Sequence, residues 1–371
     1  MLYKQPVKQI LTDTRTYWDR DETRPAVRQA FDKLTKCGTL ALGAEVFASE
    51  NEEKKVPHTC KARPCPSCGH RATIQWQREQ WCALPDIPYV GIVFTMPNVL
   101  WPIFQQNRHL LHALPNLGAA VIEQWAILKY GVCVPIMVIP HTFGARLNFN
   151  PHLHILVSAG GLRESEGRWV NSLVFDDKDK LMPMWRSAVI DYLREALRVK
   201  ALTSDLRAED LRTVLATQGE RWWSIDIDHF ESKEHFLRYA GRYVRRPPIA
   251  QYRFVKITDR EVRFRAKDKI RKQRVDISCT PEEFVAMLAE HVLDRYQHAI
   301  RYFGLLAPGS KARTSAGLSA LLGQQKRSRP RRLSWAYSRR REFGVDPLID
   351  CQGQPMRWVG RLKPVVKSNG T

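Results

Sequence analysis

The sequence predicts an α+β fold, and two predicted hairpins with helices around them are the observations that favour it. Residues 132–141 and 151–158 are rich in apolar and β-branched side chains, and the short segment between them contains Gly144, so they can form an antiparallel hairpin. Residues 253–265 alternate polar and apolar side chains around a turn at Asp259 and Arg260, which is the pattern of a second hairpin. Because predicted helices lie between strands that pair antiparallel, an α+β arrangement is favoured over a doubly wound sheet.

The first predicted domain, residues 1–85, is a small unit with one clear helix. This helix runs from Arg24 to Lys36, because the apolar residues of the stretch recur on one side. The charged run from Glu50 to Lys55 is interpreted as a loop. A cysteine-rich motif follows it, so this domain is expected to bind a metal and DNA.

Three further segments complete the predicted organisation. Residues 86–250 contain strands at 89–95, 132–141, 151–158 and 222–227 and helices at 100–130 (with a break near Pro115), 181–200 and 230–244. Residues 251–310 add the second hairpin, a strand at 274–279 and a helix at 281–296 as an extension of this domain. Residues 311–371 form a basic region, in which Trp335 and Tyr337 are suited either to stacking on unpaired bases or to a solvated tail.

The charge balance of the chain indicates the partner. Lysine and arginine number 59 against 38 aspartates and glutamates, so the formal net charge is +21. This excess favours a polyanion over the alternative of a basic protein without such a partner, because each neutralised phosphate releases counterions. No apolar run is long enough to span a bilayer and no signal peptide is recognised, so a soluble cytoplasmic protein is expected.

The segment His58 to His70 predicts a zinc site. Cys65 and Cys68 are two residues apart and are followed by a glycine that permits a tight turn, which is the pattern of a zinc knuckle. Cys60 is a third ligand at a plausible spacing. The fourth ligand is His58, Cys37 or His70, and the alternative to a metal site is a loop with reduced cysteines.

A histidine pair predicts a second metal site. Residues 151–158 are interpreted as a strand, and alternate residues of a strand share a face, so His152 and His154 point the same way. Two imidazoles side by side on a rigid element form half of a metal site. The alternative is a pair of half-buried structural histidines.

A tyrosine pair lies on the last helix of this segment. Tyr239 and Tyr243 are four residues apart and therefore share one face of the helix. The alternative is a hydrophobic packing face, which Phe236 would extend. The neighbouring arginines argue against that alternative, because guanidinium groups suit a phosphate backbone better than a core; they are Arg238, Arg242, Arg245 and Arg246. Cation-binding histidines and nucleophilic phenols together indicate an enzyme that cuts DNA through phosphotyrosine.

In this order, the motifs resemble those of the two-tyrosine HUH transposases of the insertion sequence ninety-one family. The resemblance rests on F-T-M-P at 94–97, N-P-H-L-H-I-L-V-S-A-G-G at 150–161, Y-A-G-R-Y-V-R-R-P-P at 239–248, I-R-Y-F-G-L-L at 300–306 and the preceding C-x4-C-P-x-C. It extends from about Arg24 to Arg357. It implies an HUH-endonuclease-like antiparallel sheet with flanking helices, preceded by a small zinc-binding domain.

The resemblance also implies roles for these residues. His152 and His154 would bind Mg²⁺ or Mn²⁺. His141, where relatives place glutamine, is either a third ligand or a structural histidine. Tyr239 and Tyr243 would attack single-stranded DNA at the element ends and target, which forms a 5′-phosphotyrosine and leaves a 3′-OH that host replication machinery can extend. The extra zinc ligands of some relatives are absent, since only Cys351 remains in the C-terminal motif, so a single zinc is expected.

Other functions share part of this pattern. A replication initiator or relaxase uses the same HUH chemistry, but the chain has no G-x4-G-K-[ST] loop of a helicase part. A non-enzymatic zinc DNA-binding regulator, or an inactive copy of a transposase, would not need both tyrosines. The sequence does not determine which tyrosine acts first, the end sequences or the oligomeric state.

Overall fold

A computed structural model describes residues 5–267, 273–310, 315–325, 327–332 and 334–364. The chain divides into two compact units, each built from separate segments. The first unit comprises Met1–Gln75, Arg246–Asp294 and Pro330–Thr371, and the second comprises Trp76–Arg245 and Arg295–Arg329. The four predicted segments follow chain order instead, and their boundaries stay predictions.

The described residues form helices and strands with the following bounds. The helices are α1 (Pro6–Asp13), α2 (Arg15–Trp18), α3 (Pro25–Thr35), α4 (Pro66–Ala83), α5 (Trp101–Gln106), α6 (Leu114–Tyr130), α7 (Lys178–Arg198), α8 (Ala208–Glu220), α9 (Lys233–Val244), α10 (Pro281–Ala289), α11 (Ser315–Leu321) and α12 (Trp335–Phe343). The strands are β1 (Ala44–Ala48), β2 (Glu53–Pro57), β3 (Tyr89–Phe94), β4 (Pro135–Phe143), β5 (Phe149–Ser158), β6 (Gly160–Arg163), β7 (Arg168–Asn171), β8 (Ile225–Phe230), β9 (Phe254–Ile257), β10 (Val262–Lys267), β11 (Arg274–Cys279), β12 (Arg301–Gly304) and β13 (Arg357–Leu362). Among these helices, none is both long and apolar enough to cross a membrane.

The second unit is built on a five-stranded sheet in the order β12-β4-β5-β3-β8. Every neighbouring pair in it is antiparallel, and β4 and β5 form the predicted hairpin. This mixture of helices with an antiparallel sheet confirms the predicted α+β class. The register places His141 of β4 directly opposite His152 of β5. The histidines predicted to bind a metal therefore lie side by side near the turn of the hairpin.

One face of this sheet carries the larger core. Ile155 and its alternate neighbours on β5 pack with α6 and α7, and Phe94 stacks on Trp185 at 5.0 Å between ring centroids. Gly118 lets α6 approach closely, because a Cβ there would lie 2.5 Å from Leu153 Cδ1. Because these side chains are buried, β5 is held in place. The positions of His152 and His154, which alternate with them along the strand, are therefore fixed on the opposite face.

The opposite face carries α9. Met137, Ile139 and Leu156 pack under this helix, and Phe236 stacks on Tyr89 at 4.2 Å between ring centroids. At the start of α9, the Nζ of the buried Lys233 donates to the carbonyl oxygens of Trp81 and Leu84, each at 2.9 Å. These contacts anchor α9 over the face on which His152 and His154 lie.

The first unit contains two three-stranded sheets, ordered β13-β1-β2 and β11-β10-β9. The prediction of a loop over Glu50–Lys55 is wrong in its second half, because residues from Glu53 onward form β2 and pair with β1. The charged side chains of this strand take its more exposed positions while Val56 is buried, so a charged run does not exclude a strand.

The C-terminal region contributes to the first unit as well. β13 pairs with β1 although they are far apart in sequence, and the Asp350 carboxylate accepts hydrogen bonds from Ser49 Oγ (2.7 Å) and Asn51 Nδ2 (3.0 Å). Residues Trp335–Phe343 of the predicted basic region form α12, whereas Lys326 of the same region lies outside the described residues. The helix expected to run to residue 296 ends at Ala289.

Candidate functional site

Four cysteines of the first unit come together in the arrangement of a zinc site. Cys37 follows α3, Cys60 and Cys65 lie between β2 and α4, and Cys68 is in the first turn of α4. Their sulfurs lie within 4.8 Å of one another, and three pairs are 3.6, 3.7 and 3.8 Å apart. A tetrahedral zinc with Zn–S bonds of about 2.3 Å requires sulfurs about 3.8 Å apart. Hydrogen bonds with neighbouring thiols, that of Cys37 foremost, lower the pKa of Cys68 and favour the thiolate that zinc binds.

One of the three candidates for the fourth zinc ligand lies next to the other cysteines. Cys37 joins the group, whereas His58 lies outside it, with Nδ1 3.0 Å from Leu42 O and Nε2 3.0 Å from Glu45 Oε1. His70 is exposed and does not belong to the cluster either. Cys37 is distant in sequence from the knuckle, so the zinc site ties α3 to the start of α4.

Three histidines of the second unit form the other candidate metal site. His141 on β4 and His152 and His154 on β5 have ligand nitrogens within 4.8 Å of one another. His141 and His154 are buried and His152 is half-buried. We call these residues the histidine triad. His141, the predicted third ligand, therefore lies next to the histidine pair of β5, as the predicted hairpin requires.

Backbone carbonyls orient two rings of the histidine triad. His141 Nε2 is 2.8 Å from the carbonyl oxygen of Tyr243, and His152 Nδ1 is 2.8 Å from that of Asn150. A ring nitrogen facing a carbonyl carries the proton, so Nδ1 of His141 and Nε2 of His152 are the electron-pair donors. This is the arrangement that orients histidine ligands in metal sites.

The two predicted nucleophiles occupy different environments on α9. The Tyr243 ring stacks on His154, with centroids 3.8 Å apart and an interplanar angle of 25°. The Tyr239 ring is 4.9 Å from that of Tyr243 and is buried against Phe230. It sits over Gly91, where a Cβ would lie only 2.9 Å from Tyr239 Cε1. Tyr243 therefore lies at the histidine triad and Tyr239 lies beside it.

Asp228 on β8 is a polar partner of this pair that the sequence reasoning missed. Burial, followed by the charges of Tyr243 and Asp228, raises the pKa of Tyr239 well above that of an ordinary phenol. The sequence does contain a pattern that indicates Asp228. Asp226 and Asp228 alternate along β8, so both lie on the face of the sheet that α9 covers.

Comparisons with known proteins identify the family of this chain. A family model described as "Putative transposase" (Y2_Tnp) matches residues 136–314, and the IS91 model described as "Transposase zinc-binding domain" matches residues 9–96. The "Transposase for insertion sequence element IS801" of Pseudomonas savastanoi pv. phaseolicola is 32% identical over 317 residues, which cover 82% of this chain and 76% of that protein. The chain belongs to the IS91 family of transposases.

A second relative supports the same assignment. The "Putative transposase y4qJ" of Sinorhizobium fredii is 30% identical over 315 residues, which cover 80% of this chain and 79% of that protein. No solved structure matches the chain. The predicted transposase function and the predicted zinc-binding domain are confirmed, and the initiator, relaxase and regulator alternatives are set aside.

The four arginines predicted to bind DNA occupy different positions on and just after α9. Arg242 is exposed, and its guanidinium carbon lies 5.0 Å from the ring centroid of Tyr239 and 5.9 Å from that of Tyr243. Arg238 instead pairs with Glu234 at 2.6 Å. Arg245 and Arg246 are exposed at the end of the helix. Of the four predicted arginines, Arg242 therefore lies over the tyrosine rings, whereas Arg238 forms an ion pair with Glu234.

Proposed function

We propose that this transposase cleaves and transfers single-stranded DNA through a covalent phosphotyrosine, with Tyr243 attacking first beside a divalent cation held by the histidine triad. The observation that carries the proposal is the stacking of Tyr243 on His154. A phenol with a pKa of about 10 is a weak nucleophile at neutral pH and needs a nearby positive charge or a base to react. Tyr243 has the cation site beside it.

The histidine triad fits a divalent cation that also binds DNA. His141, His152 and His154 would hold Mg²⁺ or Mn²⁺, and the remaining coordination positions suit phosphate and water oxygens. When bound, such an ion acts as a Lewis acid that withdraws charge from the scissile phosphate and orients it. Nitrogen ligands favour Mn²⁺ over Mg²⁺, because Mg²⁺ prefers oxygen.

The chain's own residues carry the remaining parts of the reaction. The Tyr243 oxygen forms the bond to phosphorus and the 3′ oxygen leaves with the electron pair of the broken P–O bond, which gives a 5′-phosphotyrosine and a 3′-OH. The covalent bond conserves the energy of the phosphodiester until a second strand displaces the tyrosine. Arg242 lies where it can pair with the DNA backbone, and Tyr239 is the nucleophile for the other DNA end.

The proposal is tested by trapping the covalent adduct. Purified protein is mixed with single-stranded DNA carrying candidate element ends and Mn²⁺ or Mg²⁺, and a protein–DNA band that survives denaturant is measured. Tyr243→Phe is expected to abolish the first adduct and Tyr239→Phe to retain it, while the control Tyr296→Phe, at an exposed tyrosine, behaves as wild type. Adduct formation without a divalent cation, or in the Tyr239→Phe/Tyr243→Phe double variant, would refute the mechanism.

The zinc unit is proposed to recognise the element ends. Its support is the four-cysteine cluster in the segment that matches the transposase zinc-binding domain. Cys65→Ser with Cys68→Ser is expected to remove preference for end sequences in a binding competition against unrelated DNA. Retained end preference in the folded double variant would exclude this role.

A further inference from the structure

The β11-β10-β9 sheet of the first unit is packed on one face by α10. Residues directly opposite each other in an antiparallel ladder share a face, so Phe254, Phe264 and Ile277 mark the packed side. The ring of the buried Phe284 on α10 lies 5.5 Å from that of Phe254 and 6.1 Å from that of Phe264, between centroids. The core of this small unit is therefore complete on one side of the sheet, and the other side is left for other contacts.

The opposite face of this sheet carries an excess of positive charge. We call its side chains the basic face; they are Lys256, Arg263, Arg265, Lys267, Arg274, Asp276 and Ser278. All are exposed except Arg263, which is half-buried. Five cations thus face solvent beside one carboxylate of the same face, and a second carboxylate, that of Glu261, reaches the face from the turn before β10.

Glu261 neutralises one end of the basic face. Its carboxylate accepts hydrogen bonds from Lys256 Nζ at 2.7 Å and from Arg263 Nη2 at 2.6 Å. Ser278 Oγ donates to the same carboxylate at 2.6 Å. The cations next to the β9–β10 turn therefore have a partner within the sheet itself.

The other end of the basic face keeps its positive charge. Arg265 Nε is 4.0 Å from the nearest carboxylate oxygen of Asp276, at the limit of an ion pair. Lys267 stands directly opposite Arg274 in the ladder, and within the described residues neither has an ion-pair partner. Like charges directly opposite each other destabilise a sheet. The fold gains nothing from this pair of cations, whereas an anion placed between them would be bound by both.

We propose that the basic face binds double-stranded DNA, with Arg265, Lys267 and Arg274 contacting the phosphates. β10 and β11 form a two-stranded ribbon of six residues each, and such a ribbon fits the major groove of B-DNA, which is about 12 Å wide. Proteins hold single strands largely through aromatic side chains that stack on the bases, and the basic face contains no aromatic residue. The partner is therefore the duplex. This inference goes beyond the proposed cleavage of single strands and does not depend on it.

The test measures how the affinity of the full chain for a random-sequence duplex depends on salt. Arg265→Gln/Arg274→Gln is expected to lower the slope of log K against log[salt] by about 1.8, because each lost phosphate contact removes about 0.9. The control Arg194→Gln/Arg198→Gln on α7 removes the same charge from arginines already paired with carboxylates, so it should keep the wild-type slope. Thermal melts check that both variants are folded.

A third variant gives a gain of binding, which misfolding cannot produce. Asp276→Asn removes the carboxylate beside Arg265, so it should tighten duplex binding by up to about 8-fold at about 0.1 M salt, which is about 0.9 in log K for one charge. Weaker or unaltered duplex binding by Asp276→Asn would overturn the inference.

Single-stranded DNA of the same length separates the two kinds of partner. In Arg265→Gln/Arg274→Gln, its salt slope and the yield of covalent adduct should stay at wild-type values. An unaltered duplex slope in this variant, an equal fall in the α7 control, or an equal fall with single strands would each overturn the inference. A wild-type protein that forms no adduct, while the duplex slopes change as expected, would refute only the proposed function.

Discussion

Gly91 is the position at which a single methyl group should disturb the tyrosine pair most. In Gly91→Ala the new Cβ would lie 2.9 Å from Tyr239 Cε1 and 3.2 Å from Phe230 Cε2, while ordinary contacts begin at 3.4 Å. The Tyr239 ring must therefore withdraw by 3.4 − 2.9 = 0.5 Å. This ring is buried and packed between Phe230 and Tyr243, so moving it costs packing energy.

The magnitude follows from two opposing effects. Overpacking a core typically costs about 1–3 kcal/mol, and replacing a strand glycine by alanine returns about 0.5–1 kcal/mol. The free energy of unfolding should thus fall by about 1 kcal/mol in Gly91→Ala. Since a misplacement of about 1 Å can cost about 100-fold in rate, the 0.5 Å shift of Tyr239 should slow adduct formation by Tyr239 about 10-fold.

The assay is single-turnover adduct formation together with urea unfolding of the same preparation. Gly360→Ala on β13 is the matched control, because it is also a strand glycine but a Cβ there meets nothing within 4 Å. Gly360→Ala should be active at the wild-type rate. A Gly91→Ala protein with wild-type rate and stability would show that Tyr239 does not depend on this contact.

Three further predictions concern zinc, DNA and acid. Cys68→Ser should remove bound zinc and unfold the first unit at a lower temperature, because structural zinc contributes to folding directly; elemental analysis and thermal melts check this against the exposed Cys351→Ser, which should keep its zinc. Arg242→Gln should weaken single-stranded DNA binding and lower the salt slope by about 0.7, whereas Arg238→Gln, which loses a guanidinium already paired, should change it less; equal slopes in the two variants would contradict this. Hydrogen bonds, that of Ser49 foremost, lower the pKa of Asp350 to about 2, so its stabilising contribution is present above the unfolded pKa of about 3.9 and is lost as the pH falls toward 2. Melts from pH 7 to 2 should be flatter for Asp350→Asn, and parallel curves would contradict the assignment.

Local patterns in the sequence predicted the elements that carry the chemistry. The β4–β5 hairpin and helix α9 follow from alternation and helical spacing, which act within a few residues. His141 was the exception in this region. Its place beside His152 depends on the register of the hairpin, and a bulge between His141 and Phe143 shifts that register in a way that side-chain types do not reveal.

Long-range contacts account for what the sequence did not predict. Cys37 reaches the zinc knuckle because the chain just after α3 lies beside the end of β2, where Gly38 N donates to His58 O at 3.1 Å, and β13 reaches β1 from the other end of the chain. Tyr239 comes to lie over Gly91, the residue opposite Asp228, only when α9 packs on the sheet. The periodicity of a segment shows which of its faces is buried, but it does not indicate which distant segment packs against that face.

The anchoring of α9 bears on how two tyrosines can serve one cation site. Residues four apart on a helix are about 6 Å apart along its axis, so only one phenol can stack on His154 at a time. A sliding helix would exchange them, but it would pull the buried Lys233 from the carbonyl oxygens of Trp81 and Leu84. Under the proposed mechanism, the DNA end therefore moves while the helix stays in place.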